Sequence, residues 1–328
     1  MFDDAVTEAS EKPEGRTKAS QEKGWQKVRM KIEALVKKRP DDHLSSLMAE
    51  LREIEIGRAN PVDFYAKRHI IRPLAENLFK REERQFNEGF YHPDMRVGKY
   101  VVASISPIRY LMKCVRPDTQ AIVELGSGWS ANLFQLYIGL GYHRTRKIRF
   151  HGAEYTKEGQ IAANLLAEHD GQIIYRSHNC DYRAPNVGYL RPYKKHILVY
   201  TRHSIEQVDY INPELYDMLR ALDAQVTLVH IEPVGWQRRP DLMEKRLAND
   251  TAFFNAIGHS IATDPVAVDR PVENASWWSW RMNYNINLIG IADEYCNRKL
   301  ARQIRREYEF AVPANVFNPS TLVHLELW

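Results

Sequence analysis

The chain has 328 residues, 44% of them hydrophobic, enough apolar content for one large core or two modest ones, and its composition excludes collagen, coiled coil and general disorder. Its 46 basic and 42 acidic side chains leave a net charge of +4, too mild a bias to argue for a nucleic-acid partner. Cys114, Cys180 and Cys296 stand apart without CxxC spacing, which argues against a disulfide framework or a metal site and for a reducing, cytoplasmic setting.

The first two dozen residues, MFDDAVTEASEKPEGRTKASQEKG, carry few large apolar side chains and no apolar core of the kind a secretory signal needs. They are expected to form a flexible tail over 1–24. From Trp25 onward, Val28, Ile32, Leu35 and Val36, then Leu44, Leu47, Met48 and Leu51, fall at helical intervals, with Pro40-Asp41-Asp42 as break and cap. A second helical pair is expected over 62–87 and 98–113, around the loop EGFYHPDMRVG. The region 25–116 therefore reads as a helical lid over whatever the remainder binds.

After Pro117 the pattern changes. AIVEL, KIRFHGAE, QIIYRSHN, HILVYT and QVTLVHIE are β-rich runs, separated by stretches at 129–139, 157–168 and 205–222 long enough for helices. Alternation of this kind implies parallel βαβ units, hence an α/β doubly wound, mostly parallel, Rossmann-like sheet over 117–328. Beyond Pro240, residues 240–257 read as helix, 293–309 as a charged amphipathic helix and STLVHLEL as a last strand, with an insertion around 265–315. No stretch approaches the ~20 apolar residues of a membrane span.

Doubly wound sheets bind ligands beyond the carboxyl ends of their strands. There, VELGSGWS puts Gly126, Ser127 and Gly128 between a strand and a helix, where missing β-carbons allow a polar ligand close to the backbone. The loose fingerprint Gly126-x-Gly128-x-x-Ala131 suits a dinucleotide. Glu124, two residues before the first glycine, instead suits a cation such as an α-ammonium group and repels a pyrophosphate.

The run VELGSGWS resembles the first motif of the class I S-adenosylmethionine-dependent methyltransferases, acid-x-Gly-x-Gly. The resemblance continues over residues 118–235 and implies S-adenosylmethionine as methyl donor. It places Glu154 and Tyr155, in HGAEYT, at the donor's ribose, Asp181 and Tyr182, in HNCDYR, at its adenine, and Thr201, in ILVYTRHSIEQV, near the methyl group. The gap holding GYHRTRK is longer than the family's usual one, and the region after Pro240 matches no family pattern.

His203, Glu206 and Glu232 fall at or just past strand ends and are the candidate proton acceptors and acceptor ligands; Glu273 is a further acid for a cationic acceptor. Lys99 or Arg96, in the helical region with Tyr91 and His92, is a candidate partner for the donor's carboxylate. Trp277, Trp278 and Trp280 suit a core or domain seam more than a pocket wall. The expected function is N- or O-methylation of a small polar molecule, an amine, a guanidine or a sugar hydroxyl, with no metal, no membrane and no nucleic acid; a homodimer is left open. The alternatives are an NAD(P)-dependent oxidoreductase using the same glycine turn, a nucleic-acid methyltransferase, and a non-catalytic interaction protein.

Overall fold

The computed structural model describes residues 17–57, 107–263, 270–311 and 320–328. The expected helix over 62–87, most of that over 98–113, and Tyr91, His92, Arg96 and Lys99 lie outside the described residues, as does part of the expected insertion.

Two helices open the described chain, α1 (Lys18–Lys38) and α2 (Leu44–Gly57), with the break at Pro40. α1 takes in the last seven residues of the expected tail, because Thr17 caps it by accepting the N–H of Ser20 at 3.2 Å. Its apolar face, with Ile32 and Leu35 buried, packs on the sheet-flanking layer, so a polar leading turn is held by docking rather than by its own composition. Residues 107–114 form a third helix, α3.

The expected runs become β1 (Thr119–Leu125), β2 (Arg149–Glu154), β3 (Tyr175–Asn179), β4 (His196–Arg202) and β5 (Gln225–Glu232). Between them lie α4 (Ala131–Leu140), α5 (Lys157–Asp170) and α6 (Glu214–Arg220). α6 is shorter than the expected 205–222, since 205–207 winds as a single 3₁₀ turn. Two apolar residues per turn cover one sheet face, as with Leu133, Phe134, Ala162 and Leu166, while Leu215, Tyr216 and Leu219 cover the other.

A sixth strand, β6 (Ala301–Ala311), and the final β7 (Ser320–Leu327) complete one sheet of order β3-β2-β1-β4-β5-β7-β6. β1 to β5 run parallel, and β7 pairs antiparallel with both β5 and β6. The strand β6 corrects the helix expected over 293–309. α10 (Leu288–Asn297) ends early, and ARQIRREYEFA extends as an edge strand on which the exposed Arg302 and Arg305 discourage further pairing. Between β5 and β6 the chain inserts α7 (Pro240–Leu247), α8 (Thr251–Thr263), α9 (Pro271–Met282) and α10. Trp280 stacks on Phe254 at 5.2 Å and donates its indole N–H to Asn249, and Trp277 and Trp278 are likewise buried. The tryptophans are therefore core to this insertion.

The fold is a Rossmann-like α/β sheet, seven-stranded and mostly parallel, with helices on both faces. The chain leaves β1 toward β2 and β3, then returns to the other side of β1 as β4. That reversal opens a crevice above Leu125 and Arg202. Among the described residues, no helix is long and apolar enough to cross a membrane, and no group of His, Cys, Asp or Glu could hold a metal ion.

Candidate functional site

A cavity of about 330 Å³ sits at that reversal, lined by Gly126, Glu154, Tyr155, Asp181, Tyr182 and Ser204 from the sheet's rim. Gly126 adopts φ +66°, and its N–H and that of Ser127 donate to the Ala153 carbonyl at 2.7 and 3.1 Å. A β-carbon at Gly126 would lie 2.4 Å from Ser204 Cβ and 2.8 Å from the Tyr182 hydroxyl oxygen, so only glycine lets the turn pass between these two walls. Ser127 itself is buried and is not part of the lining.

Glu154 ends β2 with its carboxylate fixed. Oε1 accepts from the Thr156 N–H and hydroxyl at 3.0 and 2.7 Å, and Oε2 accepts from the Gly128 N–H at 2.8 Å. One lone pair of Oε2 remains for a ligand hydroxyl. Asp181 accepts the N–H of Arg183 at 2.9 Å and lines the cavity. Tyr182 is buried, its hydroxyl 2.8 Å from Ser204 Oγ.

Glu124 is not in this cavity. It is 1% exposed and turned inward, where it accepts from Asn132 Nδ2 at 2.7 Å and from the Leu133 N–H at 3.2 Å. The expected contact with an α-ammonium is thereby corrected: the residue caps α4 from below, because an acid at a helix N-terminus gains both hydrogen bonds and the dipole. Burial pushes its carboxyl up to about 7, against the pull of Asn132 and the Arg202 charge. Thr201 is corrected as well, being fully buried with its hydroxyl 2.9 Å from His230 Nδ1.

The candidate acid–base residues come together but beside the cavity. Glu232 is fully buried and accepts the N–H groups of Ser204, Ile205 and Glu206 at 3.0 to 3.3 Å. Burial first, then the Glu206 charge, raises it to about 7. It is the clamp of the loop after β4, and its expected place in the mouth is corrected. His203, at φ +48°, lies 3.5 Å through Nδ1 from Glu206 Oε1 and 2.8 Å through Nε2 from Ser320 Oγ. Glu206 is buried, and its Oε2 has no hydrogen-bond partner among the described residues. From this loop Ser204, Gln207, Val208 and Asp209 line the cavity. Glu273 pairs instead with Arg239 at 3.3 Å.

Sequence reasoning missed the opposite wall. Thr17, Lys18, Gln21 and Trp25 of α1 and its cap line the cavity, although they were placed in or next to the tail. Glu22 accepts the N–H groups of Lys157 and Glu158 at 2.9 and 3.1 Å, and Arg29 pairs with Glu158 at 2.5 Å, so α1 is pinned to the start of α5. Lys18 Nζ sits 4.3 Å from the centroid of the Tyr155 ring. Trp25 covers Gly128 so closely that a β-carbon there would lie 2.8 Å from the indole. Asn283, just after α9, was missed too, since its role depends on where the insertion docks.

No protein-family model matches the sequence, and no curated protein matches it. Among solved structures, the chain is similar to a protein studied for the conversion of a disulfide bond into a thioacetal group during echinomycin biosynthesis, with TM-score 0.39, 11% identity and 67% of this chain and 81% of that one covered. It is similar to magnesium protoporphyrin IX methyltransferase from Synechocystis with bound SAH, with TM-score 0.39, 11% identity and 76% and 94% covered. Geranyl diphosphate C-methyltransferase from Streptomyces coelicolor is similar at TM-score 0.32 and 12% identity, with 68% and 79% covered. Likeness at this level carries no argument about the reaction, which must come from the chain's own side chains.

Proposed function

We propose that the protein transfers the methyl group of S-adenosylmethionine to nitrogen or oxygen of a small polar molecule. The observation that carries this reading is the convergence of Gly126, Glu154, Asp181 and Tyr182, from three separate strand ends, on one cavity. Its volume, about 330 Å³, falls within the range of small-ligand sites. Glu154 keeps a free lone pair for a ribose hydroxyl, and Asp181 can accept from an adenine amino group.

A dinucleotide fits less well, for a reason that differs from simple repulsion. Its pyrophosphate needs the free N–H groups at the start of α4, and the Glu124 carboxylate already accepts the N–H of Leu133 there. The Trp25 ring also closes the approach to Gly128.

Bound, the donor supplies a sulfonium-activated methyl group with a built-in leaving group. The protein's share is alignment and removal of the acceptor's proton. We assign the proton to the His203–Glu206 pair, held by Glu232 through the backbone of the loop. The buried Glu206 Oε2 suits an N–H or O–H of the acceptor.

Titration calorimetry tests the reading. S-adenosylhomocysteine should bind with micromolar affinity and NAD should not. Tight NAD binding with no response to S-adenosylhomocysteine would replace methyl transfer by hydride transfer.

A further inference from the structure

Arg246, on α7, is 4% exposed, yet no carboxylate pairs with it among the described residues. Its Nη2 donates to Asn283 Oδ1 at 3.0 Å and to the Tyr284 carbonyl at 3.4 Å, while its Nε has no partner among the described residues. Burying a guanidinium against neutral oxygens is costly, and burial pulls its pKa down. The buried guanidinium fixes the orientation of the amide it touches.

That orientation is unambiguous. Arginine has donors and no acceptor, so Asn283 must turn its oxygen toward Arg246. The amide NH₂ then faces the other way, and no described residue accepts from it. Asn283 is half-buried, lines the cavity and holds φ +51°, a left-handed conformation that asparagine tolerates at a helix end. Two hydrogen bonds stitch this part of the insertion to the loop after β4: the N–H of Asn285 to the Glu206 carbonyl at 3.1 Å, and that of Ile286 to the carbonyl of Asp209, which lines the cavity, at 3.0 Å.

Asn283 and Asp181 line the same cavity and are linked by a short chain of contacts. Ile286, three residues after Asn283, donates to the Asp209 carbonyl, the Asp209 carboxylate pairs with Arg183 at 2.7 Å, and the Arg183 N–H donates to Asp181 at 2.9 Å. An acid and an amide donor lining one cavity match adenine, which presents an amino group next to a ring-nitrogen acceptor.

We infer that Asn283 reads the donor's adenine, its Nδ2 donating to a ring nitrogen beside Asp181, with Arg246 setting the direction of the amide. This rests on the methyl-donor reading above and names a recognition residue supplied by the insertion. Asn283 is the binding residue, and Arg246 acts through it as a positioning residue.

The test is Asn283→Asp in the full chain, read by calorimetry with S-adenosylhomocysteine and with adenosine, and by thermal unfolding. The change keeps shape and tolerates the left-handed backbone. It gives Arg246 a carboxylate partner but removes both donors. The inference requires a raised melting temperature together with a ten- to thirtyfold loss of affinity for both ligands. A residue that merely supports the fold would show the first effect without the second. Unchanged affinity, or a loss confined to S-adenosylhomocysteine with adenosine unaffected, overturns it. Should Asn283→Asp not fold, Asn283→Gly removes the amide without backbone strain, and the same affinity loss is required. Failure of the unaltered protein to bind S-adenosylhomocysteine refutes the donor reading itself, and the inference falls with it.

Discussion

Gly126→Ala separates two costs that the structure makes distinct. At φ +66° an alanine pays a left-handed strain of about 1 kcal/mol. Its β-carbon would also lie 2.4 Å from Ser204 Cβ and 2.8 Å from the Tyr182 hydroxyl oxygen. Relieving that overlap disturbs the Tyr182–Ser204 contact at 2.8 Å and the Ser204 hydroxyl's bond to the Leu125 carbonyl at 3.0 Å. Overpacking with lost hydrogen bonds adds about 2–4 kcal/mol, for a total of about 3–5 kcal/mol. At about 2 °C per kcal/mol in a large domain, the melting temperature should fall by roughly 6–10 °C. Gly171→Ala is the control, since Gly171 has φ +65° in the left-handed region and a β-carbon there would come no closer than 3.9 Å to its nearest neighbour, the Glu168 carbonyl; it should cost the strain alone, about 1 kcal/mol. Scanning calorimetry with S-adenosylhomocysteine titration reads both. Equal losses in the two variants, with ligand binding intact in Gly126→Ala, would refute the claim that this turn is squeezed between two cavity walls.

Trp25→Ala should weaken S-adenosylhomocysteine about tenfold by uncovering Gly128; unchanged affinity removes α1 from the site. Glu232, with its carboxyl raised to about 7, keeps a proton in the fold that the unfolded chain releases near 4.5, so its contribution favours the fold at low pH and is lost as pH rises through about 7. Glu232→Gln should flatten that loss, about 3 kcal/mol between pH 4.5 and 8, in denaturant titrations; an unaltered pH slope counts against the assignment. His151 and His178, 2.9 Å apart, are lowered to about 3 and about 4, mainly by burial. Folded, they stay neutral while the unfolded chain protonates near 6.5, so stability should drop as pH falls below 6.5, and His151→Gln should lessen the drop.

Much of this architecture could be read from residues. β1, β2, β4 and β5 are largely buried, and burial on both faces leaves a signal that no helix of that length shares, whereas β3, YRSHN, lies at the sheet's edge with no residue fully buried. β6 escaped because RQIRREYE has helix-forming composition; its strand state comes from pairing with β7, a contact remote in sequence. Glu124 was found, but its direction was not. Facing Asn132 and Leu133 rather than the cavity depends on the packing of α4 against β1, which a motif does not encode. Thr17 to Gln21 look unstructured in isolation because the stabilising partner, the start of α5, lies some 135 residues onward. Asn283 and Arg246 became legible only as a pair.

The bond from Glu22 to Lys157 has a consequence for biogenesis. During synthesis, the first helix leaves the ribosome long before the segment it grips exists, so it waits unattached while more than a hundred residues follow. Closing so long a loop is entropically late work. The binding wall it forms is accordingly completed near the end of folding, and a shortened nascent chain that stops before α5 should leave that helix open to proteases.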